Sequence, residues 1–192
     1  MSKTARPLHE AEAIAAQVVT DLSPYCERIE VAGSVRRRKE QVGDIEIVAI
    51  PRYELGGLFA THPVNTLWAY LEASTTYRLI KGKGPDGRYY QLVRPDTDDV
   101  QIDLFIAQED NWGYILLLRT GSAAFGPAVL ARWKHRQWMR AQDEHGSVDG
   151  HLVTRAGEIV PTPDEETVFR LVGLDPVPPE ERTDEAARRL GG

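Results

Sequence analysis

A single cysteine, Cys26, in 192 residues excludes an intramolecular disulfide. Its expected state is a buried, inert thiol, since free cysteine behaves mostly as a small hydrophobe. No long apolar run opens the chain, so neither a signal peptide nor a membrane span is expected, and cytoplasmic residence is the default. An excess of positive charge is missing too. The formal net charge is −6, so any contact with nucleic acid must come from local basic patches. There is no internal repeat and no low-complexity block, and His145 and His151 lack a zinc-ligand spacing. What is present is 42% hydrophobic and 27% charged residues, an ordinary globular composition, at a length that suits one domain or two small ones.

The stretch from Ala32 to Ile50, AGSVRRRKEQVGDIEIVAI, concentrates the chemistry. It reads as a strand end, a Gly33-Ser34 turn, a short basic helix and a second strand, with Ser34 as the expected helix cap. Backbone N–H groups at a helix start favour phosphate, and the guanidinium groups of Arg36, Arg37 and Arg38 suit phosphate oxygens. Asp44 and Glu46 then alternate with Ile45, Ile47 and Ala49, so both carboxylates fall on one strand face and the aliphatics on the other. Two adjacent carboxylates repel, and a hard divalent cation with oxygen ligands is their natural partner. A phosphate-binding turn beside a metal-binding strand is the equipment of phosphoryl or nucleotidyl transfer.

A second alternating strand, VQIDLFIA from Val100 to Ala107, turns Ile102, Leu104 and Ile106 one way and Gln101, Asp103 and Phe105 the other. It is expected beside the Asp44 strand, with Asp103 as a third carboxylate. Residues 7–22 predict an amphipathic helix with Ala11, Ala15, Val18 and Leu22 on one face. A helix is expected from near Thr61, with Pro63 in its first turn, after a Gly56-Gly57 loop. Tyr77 to Lys81 and Tyr89 to Arg94 predict hairpin strands around KGKGPDG. Helices follow from Asn111, then from Ala123 to Trp138 with Ser122 as cap. The segment from His145 to Pro161 predicts a small hairpin. Thr162-Pro163 predicts a helix start by a cap and an N1 proline, the helix ending near Gly173, and Thr183 to Gly192 a charged tail. Arg132, Lys134 and Arg136, interleaved with Trp133 and Trp138, are candidates for nucleic-acid contact. Phe125, Val129 and Trp133, however, share helical spacing, which favours Trp133 as core. Lys81 and Lys83 are candidates for the same contact at the hairpin tip.

In order along the chain, these motifs resemble the family X DNA polymerases, the polymerase beta-like branch of the nucleotidyltransferases. Gly33-Ser34, Arg36-Arg37, Gly43-Asp44-Ile45-Glu46, Gln101-Ile102-Asp103-Leu104, Thr120-Gly121-Ser122 and the segment Gly173-Leu174 through Val177-Pro178-Pro179-Glu180 to Arg182 carry the resemblance. It implies an α/β fold: a nucleotidyltransferase palm with a mixed sheet over residues 1–108, then an α+β thumb-like subdomain over 109–192. Asp44, Glu46 and Asp103 would be catalytic and would hold two Mg²⁺ ions, with Mn²⁺ as an alternative. Gly33, Ser34 and Arg37 would hold the triphosphate, and Thr120, Gly121 and Ser122 would border the nucleotide. The expected partners are a nucleoside triphosphate and a DNA primer and template. No membrane partner is expected, and a monomer is the default. The expected form is a minimal one, with no room for the lyase and helix-hairpin-helix regions.

Four departures stand out. Glu46 replaces an aspartate, Gln101 a frequent basic residue, Leu118-Arg119 an aromatic pair, and Gly126 an asparagine found in vertebrate members. A leucine–arginine pair crowds a ribose hydroxyl less than an aromatic pair, so relaxed sugar discrimination is expected. Two other accounts stay open: a nucleotidyltransferase acting on an RNA end, a protein or a small molecule, and a non-catalytic nucleotide- or DNA-binding module.

Overall fold

The structure, a computed structural model, describes residues 5–55, 62–137 and 146–190. The Gly56-Gly57 loop, Thr61, Trp138 and His145 lie outside them. The fold is mixed α/β, and the chain divides into two compact units, Met1–Ile106 and Ala107–Gly192.

In the first unit, β1 (Arg6–Pro7) leads into helix α1 (Leu8–Leu22), followed by β2 (Cys26–Val31), the four-residue helix α2 (Gly33–Arg36), β3 (Gln41–Val42) and β4 (Ile45–Pro51). A ribbon of β5 (Tyr53–Leu55) and β6 (Pro63–Asn65) precedes helix α3 (Thr66–Ala73); β7 (Arg78–Lys81), β8 (Tyr89–Arg94) and β9 (Val100–Ile106) complete the unit. Five strands form one mixed sheet in the order β2-β4-β9-β8-β7. Only β4 and β9 pair parallel within it, the other neighbours being antiparallel.

Alternation explains which sheet face is covered. Ile45, Ile47 and Ala49 of β4, Ile102 and Leu104 of β9, and Tyr90 and Leu92 of β8 form one core with Ala11, Ala15, Val18 and Leu22 of α1 and Leu67 and Leu71 of α3. The opposite face carries Glu46, Asp103 and Gln91. Cys26 joins the core, and burial pushes its thiol pKa up to about 12, which keeps it protonated and unreactive.

The start of α3 corrects the sequence reading. Pro63 belongs to β6, opposite Leu55, and the cap is Asn65, whose side chain accepts from Trp68 N at 3.0 Å. A proline with no N–H suits the edge of a two-stranded ribbon as well as a first helical turn.

In the second unit come α4 (Trp112–Thr120), α5 (Phe125–Arg136), three short strands β10 (Ser147–Val148), β11 (His151–Val153) and β12 (Ile159–Val160), then α6 (Glu165–Val172) and α7 (Asp184–Leu190). Tyr114, Leu117, Phe125, Val129, Trp133, Val168 and Phe169 form its core. Trp133 is buried and donates from Nε1 to Val153 O at 2.9 Å. The expected hairpin is a three-stranded sheet. The helix expected at Thr162 starts later, with Asp164 as cap, accepting from Thr167 N at 2.7 Å. Thr162 is already committed: its N–H donates to Asp110 O and its carbonyl accepts from Gly113 N. The charged tail is likewise helical over α7, pinned by buried Ala187 and capped by Thr183 Oγ1, which accepts from Ala186 N.

One polar network locks α1 to the sheet. The Tyr77 hydroxyl donates to Asp21 Oδ2 at 2.7 Å, and Arg94 Nη1 reaches the same oxygen at 3.2 Å while its Nε holds Asp96. Burial, and then the bond to Asp21, raise the Tyr77 pKa, so the phenol remains a donor at all ordinary pH. Arg94→Ala removes the half-buried cation and should cost about 2 kcal/mol in urea unfolding, the range for hydrogen bonds to charged groups. A loss below about 0.5 kcal/mol, the level of an ordinary surface substitution, would mean that the network does not stabilise the unit.

Candidate active site

The Gly33 turn and β4 are built as one piece. Ala32 N donates to Glu46 O at 2.8 Å, which ties the start of α2 to the carboxylate strand. Gly33 has φ +62°, a left-handed conformation that favours glycine. A Cβ there would lie 1.9 Å from Glu46 Oε2 and 2.7 Å from its Cδ. The Glu46 carboxylate therefore rests on the bare backbone of the turn. The cap differs from the sequence expectation. Ala32 precedes the helix, Ser34 lies inside it, and no side chain caps it. With only four residues, α2 offers little aligned dipole. Phosphate recognition here would rest on first-turn N–H groups, which lack intrahelical acceptors, and on the arginines. Arg36 and Arg37 are half-buried; Arg38, with φ +56°, and Lys39 are exposed.

The parallel register sets Glu46 directly opposite Asp103. Cross-strand backbones lie about 4.8 Å apart, so two like charges project from neighbouring positions of the same sheet face. Asp103 is 8% exposed. Its carboxylate is held by neutral donors: the Tyr89 hydroxyl on Oδ1 at 2.7 Å, and Gln101 Nε2 on Oδ1 and Oδ2 at 3.0 and 2.9 Å. The Tyr89 ring stacks on Phe105, with centroids 5.1 Å apart. Sequence spacing could have found Gln101, two positions from Asp103 on the same strand face. Tyr89 comes from a neighbouring strand, and no local pattern signals it.

Oxygen donors on neighbouring strands suit a hard divalent cation in chemistry. Among the described residues, however, no three His, Cys, Asp or Glu side chains converge as a ready metal cage. Glu46 and Asp103 stand side by side in register, and Asp44 immediately precedes β4. The donor set fits a divalent ion; its side chains are not drawn together around one.

Lys81 and Lys83 are exposed at the β7–β8 loop. The loop itself is anchored: the Tyr90 hydroxyl donates to Gly84 O at 2.7 Å and Asn65 Nδ2 to Pro85 O at 2.8 Å. In the second unit, buried Thr120 ends α4 and Gly121 follows as its C-cap. Ser122 does not cap α5, which begins at Phe125 after Ala124. The Ser122 backbone is engaged by Arg182 O and Phe125 N, while its buried Oγ has no hydrogen-bond partner among the described residues. Leu118 and Gly126, two of the departures, touch: a Cβ on Gly126 would lie 2.7 Å from Leu118 Cδ2. Arg132 donates to Val172 O and Leu190 O, capping two helix ends. Lys134 is half-buried and Arg136 exposed. His151 pairs with Asp110 at 3.1 Å.

Comparison with known families adds one finding. Residues 115–183 match the DNA polymerase beta thumb, so the second unit is similar to that thumb and the chain has a polymerase beta-like relationship. The match includes Thr120, Gly121, Ser122 and Arg182, and covers less than half of the chain; Gly33, Asp44, Glu46 and Asp103 lie outside it. No curated protein matches the sequence.

Gly33→Ala should destabilise the protein by about 2 kcal/mol, the left-handed penalty plus displacement of Glu46. Adding Glu46→Ala should recover roughly half of that by removing the displaced carboxylate. Equal unfolding midpoints for the wild type and Gly33→Ala would show that Glu46 does not rest on the turn.

Proposed function

We propose that this protein is a metal-dependent nucleotidyltransferase, a compact family X DNA polymerase that adds nucleotides to a primer 3′-hydroxyl and releases pyrophosphate. The observation that carries the reading is the in-register pair of Glu46 and Asp103, with the Gly33 turn seated on Glu46, in a chain whose second unit matches a polymerase beta thumb. A thumb points to DNA as the acceptor, which favours this account over transfer to a protein or small molecule.

In this reading the first unit is a nucleotidyltransferase palm. Asp44, Glu46 and Asp103 would hold two Mg²⁺ ions, with Mn²⁺ as an alternative. When bound, such ions lower the pKa of an attacking hydroxyl and neutralise charge on a triphosphate and its leaving group. The protein supplies the rest. Gly33, Ser34 and Arg37 hold the triphosphate, Arg37 offering planar donors to its oxygens. Asp103, on its own strand, serves the acceptor hydroxyl. Thr120, Gly121 and Ser122 border the nucleotide. Lys81, Lys83, Lys134 and Arg136 are the DNA-contact candidates, Arg132 being engaged instead by the carbonyl ends of two helices.

Extension of labelled primers (single-stranded, recessed and gapped) with each nucleotide and Mg²⁺ or Mn²⁺ tests the reading. The expected result is metal-dependent extension with pyrophosphate release, and ribonucleotide use within about 100-fold of deoxynucleotide use, a gap of roughly 2.7 kcal/mol. Asp103→Ala should lower turnover by about 1,000-fold, the scale of one lost transition-state stabiliser, while nucleotide binding persists. Turnover within tenfold of wild type would remove Asp103 from the mechanism.

A further inference from the structure

Asp103 differs from Glu46 in how it is held, and the difference has a chemical use. A carboxylate oxygen accepts through two lone pairs. Tyr89 Oη and Gln101 Nε2 both donate to Oδ1, and Gln101 Nε2 also reaches Oδ2. Oδ1 is thereby saturated, and Oδ2 keeps one acceptor position. The Gln101 amide also sits across the notch between the two oxygens, the position a bidentate cation would need.

We propose that Tyr89, assisted by Gln101, is a positioning residue that fixes Asp103 as a monodentate ligand through Oδ2. The proposal rests on the metal site read above. Both donors are neutral, so they orient the carboxylate without cancelling the charge that attracts a cation. A basic residue in place of Gln101 would have cancelled part of it. The stack of Tyr89 on Phe105 removes the freedom of the phenol ring, so the hydroxyl arrives from one direction. Three side chains, Tyr89, Gln101 and Phe105, thus form a support for one acid, all within β8 and β9 of the first unit. Hydrogen-bonded partners of ligating groups commonly tune metal affinity 10- to 100-fold.

Mn²⁺ titration of the full chain followed by electron paramagnetic resonance tests this without reference to turnover. Tyr89→Phe keeps the ring and its stack and removes only the hydroxyl. It should weaken the Asp103-dependent Mn²⁺ site about tenfold, measured at a temperature where thermal melting shows the metal-free variant fully folded. Gln101→Met, close in size, should act in the same direction. In an Asp103→Asn background, Tyr89→Phe should have no further effect on Mn²⁺. Wild-type Mn²⁺ affinity in both single variants overturns the proposal, and so does tighter binding, which would make the two donors competitors of the ion. Absence of any Mn²⁺ binding by the wild type would instead sink the metal site itself.

Discussion

The parallel pairing of β4 with β9 sets Glu46 opposite Asp103, and the register tolerates no slip. A shift of β4 by one residue would turn Glu46 into the aliphatic core and Ile45, Ile47 and Ala49 out of it. Core burial thus fixes two acidic residues at neighbouring positions on the opposite face. The helices α1 and α3 that cover the aliphatic face hold the acids in place from the opposite side of the sheet. The Asp21–Tyr77–Arg94 network ties α1 to that arrangement.

What makes two neighbouring acids tolerable is their separate accommodation. Glu46 lies against the turn at Gly33, where the missing side chain leaves room for it. Asp103 is buried against a phenol and an amide. Neither solution brings a fixed positive charge onto Asp103. The hydrogen bonds that hold Asp103 therefore orient its carboxylate and do not neutralise it.

Much of this was legible in the sequence because strand alternation is a local signal. Ile45, Ile47, Ile102 and Leu104 announced the core face, and the same alternation announced Glu46 and Asp103 on the other, whereas Asp44, read as part of the strand, lies just before it. The α1 face read equally well from Ala11, Ala15, Val18 and Leu22. Helix starts read poorly. Ser34, Ser122 and Thr162 have the residue types that cap helices, yet tertiary hydrogen bonds engage the backbones of Ser122 and Thr162, and Ala32, Ala124 and Asp164 stand at the helix starts instead. Arg132 looked like a basic surface residue and caps the carbonyl ends of two helices. Tyr89 was invisible because its partner is 14 positions away. Thr120-Gly121-Ser122 and the run to Arg182, segments that carried the family resemblance, lie inside the residues matched to the polymerase beta thumb.

The central claim is that Asp44, Glu46 and Asp103 together receive divalent ions beside a nucleotide held by the Gly33 turn. A crystal of the protein grown with a non-hydrolysable deoxynucleoside triphosphate and Mn²⁺, with diffraction recorded at the manganese edge, tests it most directly. The account predicts anomalous peaks within coordination distance of carboxylate oxygens of all three acids, with the triphosphate at Gly33, Ser34 and Arg37. Bound nucleotide with no manganese at these acids, Asp103 remaining held only by Tyr89 and Gln101, would contradict it.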